Sequence, residues 1–369
     1  MKSRREFLSN ALLVGSGTLL ASRVVFAATP SNARLVVVLL RGALDGLTAA
    51  PPYGDPEYAR LRRELVVPPP GEANGALKLD GFFGLHPSLQ FMHESYAARE
   101  LVVLHAVATP YRERSHFDGQ DVLENGGMRP HASTSGWLNR ALAALPPETV
   151  RGEAGIALGQ NVPLIMRGPA SVASWSPARL ASLDDDTLER IGDLYASDPL
   201  LSKRLAAAIA TDAMADVDKT RNTRGAARYL ETVRAAGAFL KREDGPRVAV
   251  LDTGGWDTHA NQGAGGQGQL AARLKALDGG VRALKESLGP VWRSTAVLLV
   301  TEFGRTAAAN GSRGTDHGTG AAAFLVGGAV NGGRVIADWP GLAPGKLHEG
   351  RDLRATLDLR AIWRSESVV

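Results

Sequence analysis

The segment Thr295–Val326 constrains this chain most, because it holds two short apolar runs separated by a polar loop. The first run, Thr295–Thr301, is rich in β-branched residues and predicts a buried strand. It ends on Glu302, and Asp316 and His317 come shortly before the second run. Sites in open α/β sheets lie at the carboxyl ends of strands, so acid and imidazole here predict a metal site. The alternative is a salt-bridged loop with a capping aspartate.

Three further apolar runs predict buried strands that also lead into polar groups. The first leads to Asp45 and the last to Asp257 and His259. Taken alone, Asp45 is better explained by an Asp-Gly turn with Gly46. Because the carboxyl ends of parallel strands share one edge, we expect the acids and imidazoles of all these strands to meet there. The three runs are Arg34–Leu40, Leu101–Val107 and Arg247–Leu251.

Ser115 stands where a helix running to about Asn125 is predicted to begin. A serine at this place is a good N-cap, and capping accounts for it fully. A helix N-terminus also favours an alkoxide and a bound phosphate, so the same place suits a nucleophile. The residues leave both interpretations open.

The length of 369 residues suits one large α/β domain, here residues 28–369, with or without insertions. Residues 136–245 are predicted to be mainly helical. Apolar residues recur at helical spacing over 201–217 and 225–241. We therefore expect a single domain with a helical insertion around 136–245.

The N-terminus predicts an export signal. Arg4 and Arg5 precede the apolar stretch Ala11–Leu20 and a cleavage-like Val25-Phe26-Ala27. This order is typical of a twin-arginine leader, here residues 1–27, that is removed from the mature protein. The alternative is a short N-terminal helix with chance arginines. The leader predicts the twin-arginine machinery as a partner and a periplasmic or secreted location.

Charge and cysteine content limit the classes of function that this chain can have. The formal net charge of +4 comes mostly from the leader, so nucleic-acid binding is not expected. After the leader, no window is apolar enough over a sufficient length to predict a membrane span. With no cysteine in the chain, any metal ion must be held by oxygen and imidazole.

Six motifs of the chain are RGALDGL, RSHFDGQD, SGWLNR, GGWDTHANQ, TEFGRT and TDHG. Together they resemble the uncharacterised family catalogued as domain of unknown function fifteen-oh-one, and the resemblance runs over nearly the whole chain. That family resembles a distant branch of the alkaline phosphatase and sulfatase superfamily. The resemblance implies a doubly wound, mostly parallel α/β fold with helices on both faces, a site for two divalent ions and a hydroxyl nucleophile at a helix start.

The resemblance also implies roles for particular residues. Ser115 takes the nucleophile position, and Arg305, with Arg114 or Arg41 as alternatives, would brace substrate oxygens. Relatives often place a histidine after the late acid, whereas Phe303 stands here, so the second ion would be lost, weakened or held by a substitute ligand. The implied metal ligands are Asp45, Asp257, His259, Glu302 and His317, with His116 or Asp316 as the substitutes.

These residues lead to two hypotheses. The preferred one is an exported hydrolase of small phosphate or sulfate esters that uses divalent ions (zinc, manganese, calcium or magnesium) and a hydroxyl nucleophile. The other is a non-catalytic exported binding protein that retains the fold and at most one structural metal. Metal content and turnover of an aryl ester distinguish the two.

Overall fold

The computed structural model describes residues 32–145, 153–177, 185–215 and 224–364, so the predicted leader lies outside the described residues. The strands are β1 (Arg34–Leu40), β2 (Leu77–Lys78), β3 (Gly84–Leu85), β4 (Leu101–Ala108), β5 (Gly155–Leu158), β6 (Val172–Trp175), β7 (Val248–Thr253), β8 (Thr295–Val300), β9 (Ala321–Val326), β10 (Arg334–Ile336) and β11 (Leu357–Asp358). The helices are α1 (Gly46–Ala49), α2 (Tyr58–Arg62), α3 (Gln90–Ala97), α4 (His116–Asn125), α5 (Trp137–Ala143), α6 (Asp185–Tyr195), α7 (Pro199–Met214), α8 (Gly225–Leu240) and α9 (Gly268–Leu288). Short 3₁₀ turns cover Arg63–Leu65, Leu164–Met166, Gly289–Ser294, Pro344–Lys346 and Leu359–Arg364.

A nine-stranded sheet forms the centre of the domain. Its order is β10-β4-β9-β8-β1-β7-β5-β6, with β11 paired to β4. The central strand β1 pairs in parallel with β7 on one side and β8 on the other. Strand β9 is antiparallel to both of its neighbours, β4 and β8. The sheet is therefore mostly parallel, as predicted.

The single reversed strand explains how residues that precede a strand reach the same edge as residues that follow one. The carboxyl ends of β1, β7 and β8 lie together because their registers run in parallel. Strand β9 runs the other way, so its first residue, and the loop before it, lie at that edge. This edge is called the carboxyl rim below.

Helices cover both faces of the sheet. In β1, Val36, Val38 and Leu40 point to one apolar core, where they join side chains of α3, α8 and α9. The alternate residues Leu35 and Val37 point to the other, with side chains of α4 and α5. Burial on both faces requires the continuous apolar runs seen in the sequence. The predicted α/β fold with helices on both faces is thus confirmed.

The segment 136–245 differs from its sequence-based interpretation as helical. It contains β5 and β6, which extend the sheet beyond β7. Each is only four residues long, and Gly155 and Ala157 in β5 are poor strand formers. Strands this short show too few alternations to be separated from helix by periodicity.

No helix within the described parts of the chain combines the length and apolar character that a membrane crossing requires.

His105 lies at an irregularity in β4, where the pairing with β9 shifts between His105 and Val107. Its side chain is completely buried. The Ala106 amide donates to Nδ1 at 2.8 Å, so Nε2 carries the proton and donates to the Ala50 carbonyl at 3.1 Å. Burial lowers the pKa of His105 from 6.5 to about 4. The imidazole is therefore neutral in the folded protein.

Acidification should destabilise the fold through this residue. Between pH 6.5 and about 4 the unfolded chain binds a proton that folded His105 does not, so stability falls as the pH falls. The loss from this residue is up to roughly 3 kcal/mol. Urea unfolding of wild type and His105→Gln at pH 7 and pH 4 measures it. Buried His86 acts with the same sign, so the variant should show a smaller pH dependence rather than none. An unchanged pH dependence would contradict this account.

Candidate metal centre

Three imidazoles converge on the carboxylate of Asp257 at the carboxyl rim. Asp257 follows β7, and its Oδ1 lies 3.1 Å from His259 Nε2 and 3.2 Å from His317 Nε2. Its Oδ2 lies 3.3 Å from His116 Nε2. The loop after β1 supports this arrangement from behind, because a Cβ at Gly42 would lie only 2.7 Å from the Asp257 amide nitrogen.

Each imidazole is oriented through its other nitrogen. His116 Nδ1 lies 2.8 Å from Glu302 Oε1, and His259 Nδ1 lies 3.0 Å from Asp316 Oδ1. His317 Nδ1 lies 3.0 Å from the backbone carbonyl of Arg114. Carbonyl and ionised carboxylate oxygens only accept, so all three Nδ1 atoms carry the proton. The three Nε2 lone pairs therefore turn inward, which is the arrangement that outer carboxylates and carbonyls impose on metal-binding histidines.

The two orienting carboxyl groups are ionised. Burial raises the pKa of Glu302, but hydrogen bonds from His116, Gln120 and its other donors outweigh burial and leave the pKa below its ordinary value. Burial likewise opposes ionisation of Asp316, and hydrogen bonds from Asn310 and His259 lower its pKa overall. Both groups therefore act as acceptors for imidazole protons.

The donor set fits a cation. His116 Nε2 is buried and makes no hydrogen bond, although a carboxylate oxygen lies nearby. His259 Nε2 and His317 Nε2 lie 3.0 Å apart, and two lone pairs at that distance repel unless a proton or metal ion lies between them. Burial lowers the pKa of His317, which keeps its Nε2 lone pair available, whereas the hydrogen bond with Glu302 raises the pKa of His116 and favours a proton on its Nε2 when no metal is bound. Among the described residues, the ligand atoms of His116, Asp257 and His317 lie within 4.8 Å of one another.

Phe303 forms the apolar wall of this centre. It is buried and stacks on His116, with ring centroids 4.9 Å apart, and lies 5.3 Å from the ring of His317. The Phe303 side chain therefore packs against two imidazoles and offers no ligand.

Arg305 is a buried partner of Asp257. Its side chain is fully buried; it donates to Asp257 Oδ1 at 2.5 Å and to the Thr315 hydroxyl and carbonyl. Burial opposes ionisation of Asp257, but the Arg305 hydrogen bond and charge lower the pKa of that carboxyl overall. Arg305 therefore positions Asp257, and because its side chain is fully buried it has no exposed group for the substrate oxygens that it was predicted to brace.

Asp45 is not brought to the imidazoles. Its side chain is buried and forms an ion pair with buried Arg62 through Oδ1. Its Oδ2 accepts from Thr48 and Gln262, each at 2.7 Å. Burial opposes ionisation, but the charge of Arg62 lowers the pKa of Asp45 overall. A guanidinium thus neutralises the carboxylate that the resemblance assigns to a second metal ion.

Ser115 is the N-cap of α4, directly before His116. Its hydroxyl accepts from the Asp118 amide at 3.5 Å, which is long for such a bond. The predicted nucleophile directly precedes His116 in the sequence. In the structure its hydroxyl makes the contact that the N-cap interpretation requires.

Several supporting residues were not found from the sequence. Gln120 donates to Glu302 at 3.2 Å, and Gln262 links Asp45 to Thr258 and Thr315. Gln120 lies one helical turn after His116, so i,i+4 spacing was an available signal. Arg62 gave no such signal in the sequence, because it lies in a run of arginines.

Fold and site together define a mostly parallel α/β protein with an imidazole and carboxylate centre at its carboxyl rim. The family model described as "Protein of unknown function (DUF1501)" matches residues 95–366, which include every residue of the centre. The chain belongs to this family. No curated protein sequence matches it.

Solved structures with a similar fold include the C-terminal periplasmic domain of EcEptC from Escherichia coli in complex with Zn. That match has a TM-score of 0.38 and 8% identity, and covers 81% of this chain and 74% of the other. The phosphonate monoester hydrolase of Agrobacterium radiobacter matches with a TM-score of 0.32 and 9% identity, over 81% and 70%. Ps i-CgsB in complex with k-i-k-neocarrahexaose matches with a TM-score of 0.37 and 13% identity, over 82% and 68%. Likenesses at these TM-scores carry no argument about activity.

Proposed function

We propose that the protein is a hydrolase of small phosphate or sulfate esters that uses one divalent metal ion. The observation that carries the proposal is the convergence of three imidazole Nε2 atoms on Asp257, with each Nδ1 bonded to an oxygen acceptor. Without a cation this arrangement leaves electron-rich atoms facing one another. Imidazole and carboxylate ligands together suit zinc- or manganese-like ions.

The ion would be held by His116, Asp257, His259 and His317. When bound, it would act as a Lewis acid that withdraws charge from the ester oxygens. We propose one ion rather than two because the protein's own groups occupy the carboxylates assigned to the second. Asp45 is paired with Arg62, and Glu302 accepts from the Gly42 amide at 2.8 Å as well as from His116.

Ser115 is proposed as the attacking group. The dipole of α4 favours an alkoxide at its first turn, and the hydroxyl is next in sequence to His116. In this reaction the serine oxygen bonds to the phosphorus or sulfur, the ester alcohol leaves with a proton, and water then releases the phosphate or sulfate. The resemblance that places Ser115 at the superfamily's nucleophile position supports the assignment.

Two substitutions of Ser115 separate catalysis from capping. Ser115→Asp should retain stability, because aspartate caps about as well as serine, and Ser115→Ala should cost about 0.5 kcal/mol, since the bond is long. Both should abolish hydrolysis of an aryl phosphate or sulfate by the metal-loaded protein. The matched control is Asp198→Ala, which removes the cap of α7 at another place and should leave activity unchanged. Full turnover by folded Ser115→Asp would refute the serine nucleophile.

A second candidate function is a non-catalytic binding protein with one structural ion. The observations that favour it are the burial of Arg305 and the capping contact of Ser115. Absence of turnover in metal-loaded wild type on every aryl ester tested would favour this candidate over the hydrolase.

Export is part of both proposals. The twin-arginine leader at residues 1–27, carried by Arg4 and Arg5, supports delivery outside the cytoplasmic membrane with metal loaded before translocation.

A further inference from the structure

A cavity of about 470 Å³ lies at the carboxyl ends of β5, β6 and β7, on the same rim as the metal centre. Its floor contains Leu251 and Trp256. Trp256 is completely buried, and its indole nitrogen donates to the Thr253 carbonyl at 3.0 Å. The next residue is Asp257, so cavity and centre share one short loop. Cavities of this volume hold small organic ligands.

The walls of this cavity carry neutral hydrogen-bonding groups that both donate and accept. They come from the loop after β5, the end of β6 and the helix α8. Hydroxyls and amides in such number suit a ligand with several hydroxyl groups. These residues are Gln160, Asn161, Ser176 and Thr232.

Arg273 on α9 supplies a positive charge to the cavity. It is exposed and makes no hydrogen bond or ion pair with the described residues of the chain. Its guanidinium lies against Gly255, where a Cβ would come within 2.6 Å of it. Asp252 in the same lining forms an ion pair with Arg41 at 2.7 Å, and Arg41 also pairs with Glu124 at 2.8 Å. Arg228, also in the lining, donates to the Pro177 carbonyl at 2.6 Å. Arg273 is therefore the lining guanidinium that is free to meet an anionic group on the ligand.

Hydrogen bonds connect the cavity to the metal centre. Arg41, which bonds Asp252, also donates to Gln120 at 2.9 Å. Gln120 donates in turn to Glu302, the carboxylate that orients His116. A ligand in the cavity would thus lie beside the loop that bears Asp257. Hydrogen bonds from Asp252 through Arg41, Gln120 and Glu302 would connect its site to the metal centre.

We propose that this cavity binds a polyhydroxylated group with one negative charge, of the acidic monosaccharide class, and that Arg273 recognises the charge. Because the cavity lies next to Asp257, we infer that the group bound there is the non-reacting part of the ester substrate. That last step rests on the proposed function, whereas binding in the cavity does not.

Calorimetric titration with sodium glucuronate tests the binding, with glucose as the uncharged probe. Wild type should bind glucuronate at least about tenfold more tightly than glucose, as expected for one charge-assisted hydrogen bond. Arg273→Ala should remove that preference. The control Lys275→Ala removes an exposed charge from the same helix outside the cavity and should bind glucuronate like wild type. Circular dichroism verifies the fold of both variants.

A chelator-treated sample separates this proposal from the hydrolase proposal. Glucuronate binding should persist without metal, because Arg273 and the cavity walls are independent of the ion. Loss of binding on chelation would place the ligand on the metal centre and overturn the cavity assignment. Equal affinity in Arg273→Ala and wild type, or no binding by wild type, would also overturn it. Persistent binding without ester turnover would support the cavity and count against the hydrolase.

Discussion

Replacing His317 by alanine should remove the metal ion from the purified protein. His317 Nε2 lies within 3.2 Å of both Asp257 and His259, so its loss removes the proposed ligand that lies close to both of these residues. Loss of an outer partner of a ligand typically lowers metal affinity 10–100-fold, and we expect loss of the ligand itself to exceed about 100-fold. Metal content after gel filtration, measured by elemental analysis, checks this result.

His348→Ala is the matched control for that experiment. His348 lies in a late loop, 3.9 Å from Glu349, and contacts none of the four proposed ligands in the described structure. Its substitution should leave metal content unchanged. Wild-type metal content in both His317→Ala and His259→Ala would mean that these histidines are structural.

Asp45→Ala should destabilise the protein by about 3–5 kcal/mol without changing its metal content. The substitution leaves the buried guanidinium of Arg62 without its counter-charge, and its Nε and Nη1 already lack hydrogen-bond partners. Because Asp45 is paired with Arg62 and not with an ion, the stoichiometry of bound metal should stay the same. Urea unfolding and elemental analysis of the same sample measure the two effects.

A double substitution tests the physical reason for that loss. Asp45→Leu with Arg62→Met removes both charges and should recover much of the stability, as apolar replacements of buried ion pairs do elsewhere. Asp244→Ala, which breaks the exposed pair with Arg242 at 3.0 Å, should leave stability unchanged. Metal loss in Asp45→Ala at full stability would instead make Asp45 a ligand.

The sequence predicted most of the sheet because its central strands are buried on both faces. Continuous apolar runs such as Arg34–Leu40 and Ala321–Val326 result directly from that burial. The helix after Ser115 was also predicted, and its N-cap is where expected. Strands β5 and β6 were missed because each is only four residues long, which is too short to show a periodicity.

For the candidate site, strand ends predicted that Asp257, His259 and His317 meet, but wrongly added Asp45 and did not predict what each residue does. Acids and imidazoles at the rim do come together as four groups: His116, Asp257, His259 and His317. The division between Glu302 as an orienting acceptor and Asp257 as an inward-facing carboxylate depends on side-chain direction, which spacing does not reveal. Asp45 and Arg62 are 17 positions apart, and no sequence motif indicates that they form a pair.

The count of metal ions per chain tests the central claim most directly. Elemental analysis of the wild-type protein, purified from its native host without chelators, should give one zinc- or manganese-like ion per chain. Two ions would contradict the assignment of Asp45 and Glu302 to protein partners. No bound ion, with none taken up on dialysis against zinc or manganese, would contradict the metal centre itself.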